Sequence, residues 1–391
     1  MRFHLNSKEL TLLHIIGAIF TLVGTIIGAG ILGIPAVIAE AGFVTGMIVV
    51  GIMAAFFMFT YLNLGEAILR TKGEHQLPGL AERYLGKKGK SLFFIAMLMS
   101  SYGSLIAYLL ASGEAVFELL QGYIPLAGIF DGPLLYSIIF FLIMSLIILK
   151  GLNVIEDSEI LITGFLLLSV LLIFGLTLFD IDLSNLSGLE PSKVYIPYGA
   201  IFFAFMGFNS VPEAVRILKK RRKLVPLVLV LSVVIPMIAY VLFSTAVVGV
   251  MGPATNELGT LGLEKIVGPG MLIIGSLFLL FSVTTSFLAI GFAQENVFHL
   301  DYKLPKLFSW FLACGIPFIL FIAIRDAMGF VRVLSISGAV FGGIMAALLI
   351  LISYRSKKHG QRKPEYTVPM PLPMVVLLLA MLAFGVATLF M

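Results

Sequence analysis

Few residues of this chain could do chemistry, and most of them lie inside apolar runs. The stretch "GTIIGAGILGIP" (24–35) gathers Gly24, Gly28 and Gly30 ahead of Pro35. A glycine in a helix interior costs about 1 kcal/mol relative to alanine, and proline supplies no amide donor. In hydrocarbon an unpartnered backbone group is expensive, so irregular chain survives there only where it lines a cavity or is covered by protein. A second stretch, "IPYGAIFFAFMGFNSVPEAVRIL" (196–218), has a similar interruption from Gly207 to Pro212, with the polar pair Asn209 and Ser210 inside it. Pro212 crowds the carbonyl four residues back, which puts the expected opening at Phe208. Amides freed at such breaks favour a carboxylate, and freed carbonyls favour an ammonium or a small cation. A free α-amino acid carries both charges on one carbon, so paired breaks suit that class of guest. Close helix packing through Gly24 and Gly28, four residues apart, is the competing reading of the first stretch.

The elements around these residues follow from composition. Of 391 residues, 60% are hydrophobic and 12% are charged, and mean hydropathy is +1.09. A soluble domain carries about twice that charged fraction. Apolar runs long enough to span a bilayer recur along the chain. We read eleven spans: 11–40, 43–69, 92–120, 133–149, 159–179, 195–217, 224–250, 268–298, 306–324, 328–353 and 372–390. The first is too long for a cleavable signal and is followed by many like it. The single cysteine, Cys314, leaves no internal disulfide and no thiolate metal cluster.

With the N-terminus in the cytoplasm, 22 of the 26 Lys and Arg residues fall on the inner side, leaving Lys193, Lys265, Arg325 and Arg332 outside. That asymmetry is the positive-inside pattern, and it puts the C-terminus outside. Arg2 and the run "KKRRK" (219–223) belong to the inner set. The run reads as a topology anchor beside anionic lipid rather than a nucleic-acid patch. The two interrupted stretches fall in spans one and six. Five is odd, so a second five-helix unit enters from the opposite face, and such paired interruptions point to an inverted-repeat transporter with a central site. Spans one to five (11–179) and six to ten (195–353) would be the repeats, with 372–390 an addition, all within one transmembrane domain over 1–391.

The chain resembles the amino acid/auxin permease family of the amino acid–polyamine–organocation superfamily, and is most similar to the prokaryotic hydroxy and aromatic amino acid permeases. "GTIIGAGILGIP" is similar to that family's first-helix signature. "FMGFNSVPEAVR" (205–216) is similar to its sixth-helix pattern, and "TTSFLAIGFAQENVF" (284–298) to its eighth-helix motif. The resemblance implies an all-α, leucine-transporter-type 5+5 inverted repeat plus one helix, with helices one and six discontinuous. It implies substrate contacts from Thr25, Ile26, Gly28, Ala29 and Gly30. The facing half would come from Phe205, Gly207, Phe208, Asn209 and Ser210, with Phe203 as an outer cap and Tyr102 and Tyr108 as further wall candidates. The sodium position of this fold implies Ser282, Thr285 and Ser286, although a hydroxyl in a membrane helix is usually satisfied by the carbonyl four residues back in its own helix. Gly24 stands where several sodium-coupled relatives have asparagine. Span five lacks the lysine that replaces sodium in some proton-coupled relatives.

Ionisable groups at membrane depth are functional suspects. Glu66 lies about 9 Å from the inner end of span two, at 1.5 Å per residue, and is the candidate for a titrating group; a carboxylate bonded to a neighbouring helix is its structural alternative. Glu213 has Arg216 one turn away, an ordinary pairing, and Glu114 lies in the outer part of span three. The expected function is import of a neutral amino acid, with aromatic or aliphatic side chains both open, driven by protons or sodium. No cofactor, metal, nucleic acid or oligomeric partner is called for; the expected partners are the amino acid and the lipid bilayer, as a monomer in the plasma membrane. An amino-acid sensor or a channel on the same fold is the alternative. An intramembrane enzyme would need paired carboxylates, a histidine metal cluster or a serine–histidine couple at one depth, and the sequence offers none.

Overall fold

The computed structural model describes residues 7–120, 132–151 and 159–390. Arg2 lies outside the described residues. Every regular element in them is helical. In chain order these are α1 (Ser7–Ile27), α2 (Ile34–Ala41), α3 (Phe43–Arg70), α4 (Leu77–Leu120), α5 (Gly132–Lys150), α6 (Glu159–Thr177), α7 (Tyr198–Ala204) and α8 (Val211–Ile217). Then follow α9 (Val225–Met251), α10 (Glu264–Val267), α11 (Gly270–Asn296), α12 (Lys306–Trp310), α13 (Ile316–Ile324), α14 (Phe330–Ile336), α15 (Gly343–His359) and α16 (Leu372–Ala387). Ten helical stretches are long and apolar enough to cross a membrane, and the bent pair α1 and α2 makes an eleventh. The chain is a multi-pass membrane protein.

The first span breaks where its sequence weakens it. Helix α1 stops at Ile27, Gly28 takes φ +28°, and a 3-10 turn over Ala29–Gly33 leads into α2 at an angle of 41°. Positive φ is open to glycine and strained for other residues. Pro35 does not open the helix; it sits in the first turn of α2, where an amide has no partner to lose. The sixth span corrects the expected position of its break. Its first half, α7, ends at Ala204, and the chain unwinds through Phe205, Met206 and Gly207 before a 3-10 turn at Phe208–Ser210. The opening is therefore at Phe205, three residues before the Phe208 read from the sequence. Pro212 starts α8 rather than breaking a continuous helix, the same device as Pro35.

Helix α4 is the central post, packed against α5, α11, α13, α14 and α15. Its sequence begins fifteen residues before the span proper: the "QLPGLAERYLG" stretch is helical from Leu77 and joins the span through a turn at Gly86, φ 78°. Spans nine and ten are each relaxed by a π-helical segment, Phe311–Gly315 and Ser337–Gly342. The last span, α16, lies outermost against α15, with only 22% of its apolar window buried.

Glycines set the closest approaches. A Cβ on Gly30 would stand 2.8 Å from the Ala204 backbone, so the second half of span one touches the first half of span six. A Cβ on Gly199 would stand 2.7 Å from the Ser335 carbonyl, and one on Gly338 would meet the Gly199 carbonyl and Phe203. These contacts close the end of the bundle that holds α2, α7 and α14.

Candidate functional site

The two breaks face each other across a cavity of about 170 Å³. Span one lines it from Gly24 to Gly30, and span six lines it with Phe203, Met206 and Asn209. Opposite stand Ser100, Ser101, Ser104 and Tyr108 of α4, with Thr285 and Ser286 of α11. Met97, Ile162, Leu166, Ile290 and Met345 complete an apolar rim. No charged side chain lines it among the described residues. Thr25, Asn209 and Ala289 are exposed, while Phe203 and Gly30 on the other side of the breaks are buried. The cavity thus opens toward the end of the bundle that carries α8 and the basic run, and is shut at the end of α2 and α7.

Four backbone carbonyls released by the breaks are capped from behind. The Tyr240 hydroxyl of α9 shares its single proton between the carbonyls of Ile26, at 2.8 Å, and Ala204, at 2.6 Å. One residue therefore holds both broken spans. The Tyr61 hydroxyl of α3 donates to the Phe205 carbonyl, at 2.7 Å, and accepts from the Gly207 amide, at 2.6 Å. Ser282 donates to the Gly28 carbonyl, at 2.7 Å, and the Ala29 amide donates to Ser286 Oγ, at 3.1 Å. Across the cavity mouth Thr25 Oγ1 and Ser210 Oγ lie 2.7 Å apart. Thr25 spends its own proton on the Thr21 carbonyl, so Ser210 is the donor.

The residues singled out from the sequence divide accordingly. Thr25, Ile26, Gly28, Ala29, Gly30, Phe203, Asn209, Thr285, Ser286 and Tyr108 line the cavity. The Phe205 and Phe208 rings do not. They are buried behind the break, stacked on Phe57 at centroid distances of 5.8 and 5.3 Å, with Phe205 also edge-on to Tyr240. Gly207 is fixed by Tyr61 rather than free. Tyr102 is turned away, its hydroxyl donated to the Leu312 carbonyl. Of the helix-eight hydroxyls, Ser282 and Ser286 bond the break directly, whereas Thr285 donates within its own helix to Phe281 and Ser282.

Glu66 is not poised over the cavity. Its carboxylate accepts from Arg70 Nε and from Lys357 Nζ, each at 2.7 Å, and from the Val368 amide at 2.8 Å. With a side chain 1% exposed, it clamps span two to span ten and to the segment before α16. Beside this clamp, Tyr366 donates to the Leu62 carbonyl, and burial pushes its phenol well above the usual range. A larger cleft, of about 520 Å³, lies at the same end between Glu74, Arg216, Lys219 and Arg362. Its charges are spent on one another, as in the Lys219–Glu74 and Arg216–Glu213 pairs, and it lies away from the breaks.

The sequence reading missed Tyr61 and Tyr240, the serines of α4 and the methionine rim. A signal for the tyrosines existed: a phenol in the middle of an apolar span needs a partner, and helical carbonyls offer none.

Compared with known proteins, the sequence model of the tryptophan/tyrosine permease family matches residues 12–389. Tyrosine-specific transport system 1 of Haemophilus influenzae is 23% identical over 367 residues, covering 89% of this chain and 90% of that protein. Glutamine transporter 2 of Aliivibrio fischeri is 24% identical over 357 residues, covering 88% and 89%. The amino acid transporter AVT6B of Arabidopsis thaliana is 29% identical over 122 residues, 30% of this chain and 25% of that one.

Proposed function

Because the chain belongs to the tryptophan/tyrosine permease family, a family of amino acid transporters, we propose that it imports a neutral amino acid by ion-coupled alternating access. One observation carries this reading: the cavity between two broken spans holds backbone breaks on one side and, among the described residues, no charged side chain in its lining. The breaks can meet the charges of the amino acid's α-carbon. An uncharged wall would leave an ionic side chain desolvated and unpaired. Relatives named for tyrosine and for glutamine both handle neutral side chains.

The placement of the breaks five spans apart supports a 5+5 inverted repeat, 11–179 against 195–353, with 372–390 as the added helix. The basic loops support a cytoplasmic N-terminus and an extracellular C-terminus in the plasma membrane, so the described conformation faces inward. The coupling ion is a proton or sodium, and the transporter acts as a monomer.

Counterflow in proteoliposomes tests the core of this. Vesicles loaded with an unlabelled neutral amino acid should take up labelled amino acid saturably and transiently. A thermal-shift screen of the purified protein against the twenty amino acids, with and without sodium, should show stabilisation by at least one neutral amino acid. Uptake without saturation, or stabilisation by arginine or lysine alone, would overturn the assignment.

A further inference from the structure

Two acidic side chains are buried among the described residues, Glu66 and Glu295. Glu66 has three partners. Glu295, 4% exposed in α11, forms no ion pair or hydrogen bond among the described residues, and its Oε1 is wholly buried without a partner. It lies nine residues beyond Ser286, about 13 Å along the same helix at 1.5 Å per residue. One turn before it, Gly291 packs on Ile148 of α5 and on Cys314, so Glu295 sits on the face turned to spans four and nine. The titratable groups around that face are few. Cys314 of the π-helical segment packs on Gly291, one turn before the carboxyl. From α4 comes Tyr102, whose proton is committed to Leu312, and further along it Lys90, paired with Glu82. Lys150 ends α5 and Lys306 begins α12; neither forms an ion pair with Glu295. His299, one turn on, is bonded through Nδ1 to the Leu304 carbonyl. Burying a carboxylate without a partner is costly, and among the described residues Glu295 is the buried acid with no ion pair or hydrogen bond to offset that cost.

We propose that Glu295 is the site of the coupling proton. The inference rests on the transport reading above and chooses between its two ions. A proton from water on one side converts the carboxylate to a carboxylic acid, which lets α11 pack as seen; the same proton leaves to water on the other side as the bundle changes state. Helix α11 transmits this to the substrate because Ser282 and Ser286 bond the span-one break directly.

The experiment compares the parent chain with Glu295→Gln and Glu295→Asp in proteoliposomes, using as probe the neutral amino acid that gives counterflow in the parent. An imposed gradient of about one pH unit should drive about tenfold accumulation at one proton per substrate in the parent. Glu295→Gln should exchange but not accumulate, and Glu295→Asp should recover part of the accumulation. Accumulation by Glu295→Gln equal to the parent's, or accumulation by the parent that follows only a sodium gradient, would overturn the proposal while leaving transport intact. No counterflow in the parent would instead sink the transport reading. Should Glu295→Gln also lose exchange, infrared spectra of the parent and Glu295→Asp decide: a protonated-carboxyl band that shifts in the aspartate variant is expected, and its absence from the parent overturns the assignment.

Discussion

Two phenols carry more of the site than any residue that lines it. Each broken span leaves carbonyls without helical partners, and in hydrocarbon these must be met. Tyr240 meets one from each break, and Tyr61 meets a carbonyl and an amide of the second. Removing one partner of a buried hydrogen bond costs about 1–3 kcal/mol for the group left behind. We therefore expect Tyr61→Phe and Tyr240→Phe each to lower stability by about that much per orphaned group, read as thermal unfolding in detergent. Tyr240→Phe should also weaken substrate stabilisation, since the two breaks lose their common tether. Glu66 gives a contrasting expectation. A buried carboxylate with two cationic partners is costly to remove, about 3–5 kcal/mol by analogy with broken buried pairs. Glu66→Gln should therefore be among the most destabilising polar substitutions, in the same unfolding assay, while leaving proton-driven accumulation per folded molecule unchanged.

At the level of elements, the closed end of the bundle depends on glycines where spans one, six and ten touch. A methyl group at Gly30 meets the Ala204 backbone, and one at Gly338 meets the Gly199 carbonyl and Phe203. Backbone cannot rotate away as a side chain can. Gly30→Ala and Gly338→Ala should therefore disfavour the closed arrangement of α2, α7 and α14 and strongly reduce counterflow. Gly343, where an added Cβ meets nothing within 4 Å, provides the comparison: Gly343→Ala should stay near the parent. The two prolines act at this scale as well. By standing in the first turns of α2 and α8 they fix where each second half-helix begins, and the breaks fall just before them.

For the whole molecule, the cavity is open at one end only. Cys314 is buried, 1% exposed, so the parent chain should resist thiol reagents. Thr25→Cys and Asn209→Cys place a thiol on exposed positions of the open side. A membrane-impermeant maleimide should label both from the cytoplasmic face, in inside-out vesicles, and bound substrate should slow the reaction. Labelling from the outside alone would reverse the topology drawn from the basic loops.

The span pattern, the basic asymmetry, the two interruptions and the candidate residues on span one were legible in the sequence, because each is a local property. A bilayer imposes span length and hydropathy segment by segment, and a glycine or proline weakens a helix wherever that helix lies. Which carbonyl meets which hydroxyl was not legible, because Tyr240 and Ile26 stand 214 residues apart. The same limit explains Phe205 and Phe208, whose position beside a break suggested the cavity but whose rings fill the space behind it. Span six opens at Phe205 because Tyr61 and Tyr240 stand ready there to receive its carbonyls. Only packing could show that Glu66 is met by Lys357 of a distant span as well as by Arg70 one turn away, whereas Glu295, which the sequence reading passed over, is buried with an unpartnered oxygen; it is their neighbours that decide what each can do.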